Sequence, residues 1–150
     1  MRIVIQRVSE ASVSIDGHTK GKIGQGLLVL VGIENDDDTG DVEYLSKKIS
    51  SMRIFGDSEG KMNLSVMDVQ GEILLISQFT LHAATQKGNR PSFIKAARPE
   101  KAIPLYEYFI QQLQLLLSKT IQTGTFGADM KVSLINDGPV TIIMDSKAKE

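Results

Sequence analysis

Apolar and polar residues alternate through the first third of the chain in a way that predicts strands rather than helices. The segments Arg2–Val8 and Ala11–Ile15 come first, then a turn at Asp16-Gly17-His18-Thr19, then Lys22–Ile23 and Leu27–Ile33. Asp-Gly supplies the positive φ that a tight hairpin needs. In Ala11-Ser12-Val13-Ser14-Ile15 small or apolar residues alternate with hydroxyls, the period of a half-buried strand, whereas Leu27-Leu28-Val29-Leu30-Val31 is continuously apolar and predicts a central strand covered on both faces. Helical spacing takes over at Asp41–Met52, with Val42, Leu45, Ile49 and Met52 along one stripe and Thr39 as the N-cap. The acidic run Glu34–Asp38 ahead of it suits the positive end of the helix dipole. As a calcium loop the run fails: the glycine falls one position early and Lys47 stands where the bidentate glutamate belongs. No metal site is expected.

From Arg53 the pattern is extended again, with turns at Gly56–Gly60 and Gln70-Gly71 and a long strand over Glu72–Leu81 that carries a polar interruption. A loop at Thr85–Pro91 leads to a second helix, from Pro99 or Ile103 to Ser118, packing through Tyr106, Ile110, Leu113 and Leu117. Pro104 either sets its start near Ile103 or kinks it. Three closing strands follow at Ile121–Phe126, Lys131–Ile135 and Val140–Met144, and Ser146–Glu150 is expected to fray. Two helices among about eight strands, without a βαβα rhythm, predict an α+β fold: a largely antiparallel sheet or barrel in a single domain spanning 1–150.

Composition narrows the chemistry. A chain of 150 residues with 41% apolar positions buries an adequate core without staples. The absence of cysteine excludes disulfide scaffolds, cysteine-ligated zinc, iron–sulfur clusters and thiol nucleophiles. Neither a signal-peptide apolar region nor a run approaching ~20 apolar residues is present, so a cytoplasmic protein with no membrane partner is expected. The formal net charge is only −1, but Lys87, Arg90, Lys95, Arg98 and Lys101 are opposed within their segment by Glu100 alone, which predicts a polarised surface.

Dinucleotide, P-loop, α/β-hydrolase and zincin fingerprints are all missing. The Gly21-x-x-Gly24-x-Gly26 set has the wrong spacing and runs into a strand, and Gly124-Thr125-Phe126-Gly127 shares only its two glycines with a KH clamp. Two clusters hold candidate chemistry. In Ser77-Gln78-Phe79-Thr80-Leu81-His82, a strand would put Gln78, Thr80 and His82 on one face, either as a solvated strand end or with Thr80 and His82 as nucleophile and base. The second, Asn136-Asp137-Gly138-Pro139-Val140-Thr141, signals a turn whose Gly-Pro bond is open to cis or trans.

With Met1–Val8, Ala11-Ser12-Val13, Asn89-Arg90-Pro91-Ser92-Phe93, Leu105–Phe109 and Gly124–Met130 in order around them, these two clusters make the chain resemble the D-aminoacyl-tRNA deacylase family from end to end. The resemblance implies hydrolysis of the ester joining a D-amino acid, or glycine, to the 3′-terminal adenosine of tRNA, in a homodimer with pockets at the subunit interface. It implies that Gly138-Pro139 projects into the partner's pocket and excludes L side chains, with Arg7 supporting that segment. Ser77, Gln78 and Phe79 are then expected to bind the adenosine and the ester, and backbone N–H groups to meet the developing oxyanion. Thr80 would line the pocket without being an obligate nucleophile, the adenosine 2′-hydroxyl helping to activate water. Lys87 and Arg90 are expected at acceptor-stem phosphates. No cofactor is expected, and metal dependence stays open. Two rival readings remain: an RNA- or DNA-binding module without catalysis, and an esterase of small acyl esters working through Thr80.

Overall fold

In the computed structural model, which describes residues 1–150, one long strand organises the sheet. The segments expected as Arg2–Val8 and Ala11–Ile15 are continuous as β1 (Arg2–Ile15). Its first half pairs antiparallel with β3 (Gly26–Gly32) and its second half with β2 (His18–Ile23), which it reaches through the Asp16-Gly17 turn. Along its remaining edge runs β8 (Lys131–Asp145), also antiparallel. Beyond β3 the pairing becomes parallel, first to β6 (Glu72–Ser77) and then to the short β7 (Gln122–Thr123). A separate hairpin joins β4 (Phe55–Gly56) to β5 (Met62–Leu64). Because β2 curls round to contact β6 and β7, the mixed sheet forms a nearly closed barrel. The α+β barrel with two main helices is therefore borne out, with two parallel pairings among the antiparallel ones.

Side-chain alternation sorts the strands into two apolar layers. Ile3, Ile5, Leu27, Val29, Ile73 and Leu75 join the helices in a single large core. The opposite face, with Val8, Val13, Leu28, Leu74 and Ile76, forms a smaller one. β3 is buried over most of its length, as its unbroken apolar run requires. Helix α1 (Thr39–Ser51) presents Val42, Leu45 and Ile49 to the core, and α2 (Pro99–Leu117) presents Ala102, Leu105, Tyr106, Phe109 and Leu113. The α2 face is thus centred nearer Phe109 than the expected Tyr106-Ile110-Leu113-Leu117 stripe. Pro99 occupies its first turn, and Pro104 lies inside an unbroken helix, where its missing N–H leaves the Glu100 carbonyl without an i+4 donor.

Asp38, not Thr39, caps α1. Its carboxylate accepts from the Gly40 and Asp41 amides at 2.8 and 3.3 Å, and Asp41 accepts from the Asp38 amide at 2.9 Å, a reciprocal box. Asp37 of the run is likewise engaged: its buried carboxylate takes the Met1 ammonium and the Glu34 amide. Burial alone would raise the Asp41 carboxyl, but hydrogen bonds from Lys147, Ser146 and the Asp38 amide outweigh it and bring its pKa to about 2. The segment expected to fray is tied down at its start. Ser146 is buried and its amide donates to the Met1 carbonyl at 2.8 Å, while Lys147 meets Asp41 at 2.8 Å. No helix is long and apolar enough to cross a membrane.

Candidate active site

The candidate site begins where β6 stops. The expected strand Glu72–Leu81 ends at Ser77. One more bond, from the Gln78 amide to the Val31 carbonyl at 2.7 Å, extends the β3 pairing before Phe79–His82 coils into a 3₁₀ turn closed by Leu81 N–H to Gln78 O at 3.2 Å. Coiling breaks the alternation that a strand would give: Phe79 and Thr80 are both exposed, Phe79 at 56%, while His82 is only 5% exposed. The turn lies on β3 at Gly32, where a Cβ would stand 2.9 Å from Leu81 Cβ and 3.0 Å from the Gln78 carbonyl oxygen. Only a residue without a side chain permits that approach. Arg2 holds the turn from outside, its Nη1 donating to the Leu81 carbonyl at 2.8 Å.

Thr80 and His82 make no hydrogen bond to each other. The Thr80 hydroxyl accepts from Gln78 Nε2 at 2.5 Å, whereas His82 is buried with its Nε2 unpartnered. The expected shared strand face does not exist, because the 3₁₀ turn sends the imidazole into the core and leaves Thr80 exposed.

Ser77, Gln78 and Phe79 form one wall of a cleft of about 320 Å³, and Phe126, Asp129 and Met130 belong to the wall opposite. Most of the lining is apolar, the character of a site for a small organic group oriented by a few polar atoms. The second wall comes from Phe126–Met130, and no local feature of that segment signals a lining role beyond its place in the family resemblance. Tyr106 braces both walls. Its ring packs on Phe126 at 6.1 Å, and its hydroxyl donates to the Leu75 carbonyl of β6 at 2.7 Å. Burial pushes the Tyr106 phenol well above the ordinary tyrosine range, so it remains a donor.

Gly138 and Pro139 do not line this cleft. Their peptide bond is cis, and they lie within β8 instead of in a turn between two strands. Thr141 pairs with Gln6 and Asn136 with Val8, so the span from Asn136 to Thr141 bulges against a much shorter stretch of β1. Arg7 reaches into the bulge: Nε donates to the Asp137 carbonyl at 2.9 Å and lies 3.1 Å from the Asp137 carboxylate, while Nη1 donates to the Ile54 carbonyl at 2.6 Å. Asn136 Nδ2 closes the loop by donating to the carbonyls of Arg7 and Val140 at 3.0 and 3.1 Å. Lys87 and Arg90 are exposed on the loop beyond the cleft and form no salt bridge. No group of three or more histidine or acidic side chains is arranged to hold a metal ion.

This architecture, a mixed barrel backed by two helices, is shared with a solved structure described as a probable eukaryotic D-amino acid tRNA deacylase (TM-score 0.81, 16% identity, 95% of this chain and 97% of that one). The fold is that of the tRNA deacylases. Residues 4–145 match the family described as D-Tyr-tRNA(Tyr) deacylase, and the chain belongs to that family. Relatives named D-aminoacyl-tRNA deacylase in Flavobacterium psychrophilum and Parabacteroides distasonis are 63% and 61% identical, each aligned over the whole of both chains. A solved structure described as c-Myc DNA Unwinding Element Binding Protein is 44% identical, with a TM-score of 0.92 over 99% of this chain and 100% of that one.

Proposed function

We propose that the protein is a D-aminoacyl-tRNA deacylase, a hydrolase that cleaves the ester between a D-amino acid and the 3′-terminal adenosine of tRNA. The observation that carries this is the position of Ser77-Gln78-Phe79 at the mouth of the cleft in a chain whose whole length matches named deacylases. In this reading the cleft takes the adenosine and the ester. Water attacks the ester carbonyl carbon, the bond from that carbon to the ribose 3′-oxygen breaks, one of the water's protons ends on the 3′-oxygen, the other passes to solvent, and the amino acid leaves as a carboxylate. The first amides of the 3₁₀ turn, at Phe79 and Thr80, have no acceptor within the turn and are free to meet the developing oxyanion. No imidazole or carboxylate bonds to Thr80, so Thr80 is not assigned as the nucleophile, and the substrate's own 2′-hydroxyl is assigned a helping role in orienting and activating the water.

Chirality is assigned to the Gly138-Pro139 segment of a second copy. A backbone held close to the substrate Cα admits hydrogen there, excludes an L side chain, and asks nothing of the D side chain, so many D-residues and glycine pass. Because that segment lies outside its own chain's cleft, the reading requires a homodimer in which each protomer completes the other's site. Arg7 and Asn136 serve as its support. Lys87 and Arg90 serve acceptor-stem phosphates, and the setting is the translating cytoplasm.

Single-turnover deacylation of matched D-tyrosyl- and L-tyrosyl-tRNA tests the proposal. The D ester is lost rapidly while the L ester survives. Equal loss of both would make the protein a general esterase, and no loss of either a binding module.

A further inference from the structure

We infer that Phe93, which lies outside the cleft lining, is a positioning residue that sets the tilt of the Phe79 ring for stacking by a nucleobase at the single-stranded 3′ end of the RNA; this rests on the deacylase reading above. The two rings meet edge to face, with centroids 5.1 Å apart and planes at 75°. Whichever ring presents its edge, Phe93 leaves at least one face of Phe79 uncovered, and Phe79 is 56% exposed at the cleft mouth. An aromatic side chain kept so open yet held at a defined angle is suited to a flat partner, and every nucleobase is one.

The backbone around Phe93 is stitched on both sides. Ser92 and Ala84 exchange amide–carbonyl bonds at 2.8 and 3.0 Å, closing the loop between them. Downstream, the Ala96 amide donates to the Phe93 carbonyl at 3.0 Å, the Asn35 amide to the Lys95 carbonyl at 3.2 Å, and the Ala97 amide to the Ile33 carbonyl at 2.9 Å. Asn35 Nδ2 adds a bond to the Ile94 carbonyl at 3.3 Å. Phe93 is therefore fixed to the β3–α1 connection while the loop that precedes it projects freely, carrying the unpaired cations Lys87 and Arg90. Aromatic faces for bases beside cations for phosphates are the combination by which proteins hold single-stranded nucleic acid. Phe79 supplies the face, Phe93 its orientation, and the loop the charge.

The test compares wild type with Phe93→Leu, Phe93→Met and Phe93→Tyr, using D-tyrosyl-tRNA for kinetics and uncharged tRNA with 2-aminopurine as its 3′-terminal base for stacking. Wild type quenches the 2-aminopurine fluorescence on binding. The leucine and methionine variants lose most of that quenching and show KM raised about tenfold, the scale of one base–aromatic contact, with kcat within about twofold. Tyrosine, which keeps the ring, restores both. Leucine and methionine variants that quench as wild type does, or that lose kcat and thermal stability with KM unchanged, overturn the inference. A wild-type protein inactive on D-tyrosyl-tRNA overturns the deacylase reading itself, a result distinct from an active wild type with unaffected variants.

Discussion

Thr80 is the residue whose chemistry looks most like a nucleophile and whose surroundings least support one. Activating a threonine hydroxyl requires a base within hydrogen-bond reach. Here the nearest polar partner is the Gln78 amide, which donates to the Thr80 oxygen at 2.5 Å and can take no proton from it. His82, the one imidazole nearby in sequence, is buried on the far side of the turn. Thr80→Ala is accordingly expected to retain substantial activity on D-tyrosyl-tRNA, within about tenfold of wild type, as loss of a positioning contact and not of an attacking atom. Rate constants under single turnover check this. A fall of several thousandfold would return Thr80 to the nucleophile's role and favour the small-ester hydrolase.

The 3₁₀ turn is the element on which the site depends, and it is held by tertiary contacts more than by its own sequence. Gly32 on β3 is its seat. A methyl group there meets the Gln78 carbonyl and Leu81 Cβ at about 3 Å, both parts of the turn backbone or rooted in it, so the turn must lift. Gly32→Ala is expected to cost roughly 1–3 kcal/mol of stability, the usual price of overpacking, and to lower deacylation more than tenfold by misplacing Phe79 and the turn amides. Thermal denaturation run alongside kinetics at a temperature where the variant is folded separates the two effects. The same contact explains what periodicity does and does not reveal. β1 and both helices are legible because burial on a face repeats every two residues or every three to four, β3 because its apolar run is unbroken, while β8 reads as two separate strands. Ser77–His82 alternates as well as any strand, so nothing local announces that the chain coils after Ser77. The deciding feature is a glycine some 45 residues earlier in sequence, where the fold demands close approach. At Asn136–Val140 the difficulty is similar: Asp-Gly-Pro reads as a turn, whereas the residues form a bulge whose neighbours on both sides remain paired to β1. The identities of Ser77, Gln78 and Phe79 are legible as a motif, but their meeting with Phe126 and Met130 across a cleft requires the barrel.

For the whole molecule the central feature is a separation within each chain. The cleft wall of Ser77, Gln78 and Phe79 and the bulge carrying Gly138-Pro139 stand apart, the first beside α2 and the second over Arg7 and the β4–β5 hairpin. In the proposed reading, a filter and a pocket that serve one substrate from separate places in one chain require two chains, and C2 symmetry would then supply two such sites at once. Exposed apolar side chains on the outer edge strand β8, Ile135 at 54% and Ile143 at 69%, provide surface for that association. Two variants separate this arrangement from a single-chain site. Gly138→Ala brings a methyl to 2.6 Å from Asn136 Oδ1 and 3.2 Å from the Val140 amide nitrogen, so Asn136 gives up its two bracing bonds and the filter shifts. Gln78→Ala combined with Phe79→Ala removes the cleft wall. Each homodimer is expected to lose most of its activity on D-tyrosyl-tRNA. After the two proteins are unfolded together and refolded, about half the dimers are mixed, and each mixed dimer has one cleft that is intact and faces an intact Gly138-Pro139 from its partner, restoring about a quarter of the wild-type sites. If filter and cleft worked within one chain, every site in the mixture would keep a defect and refolding would restore nothing.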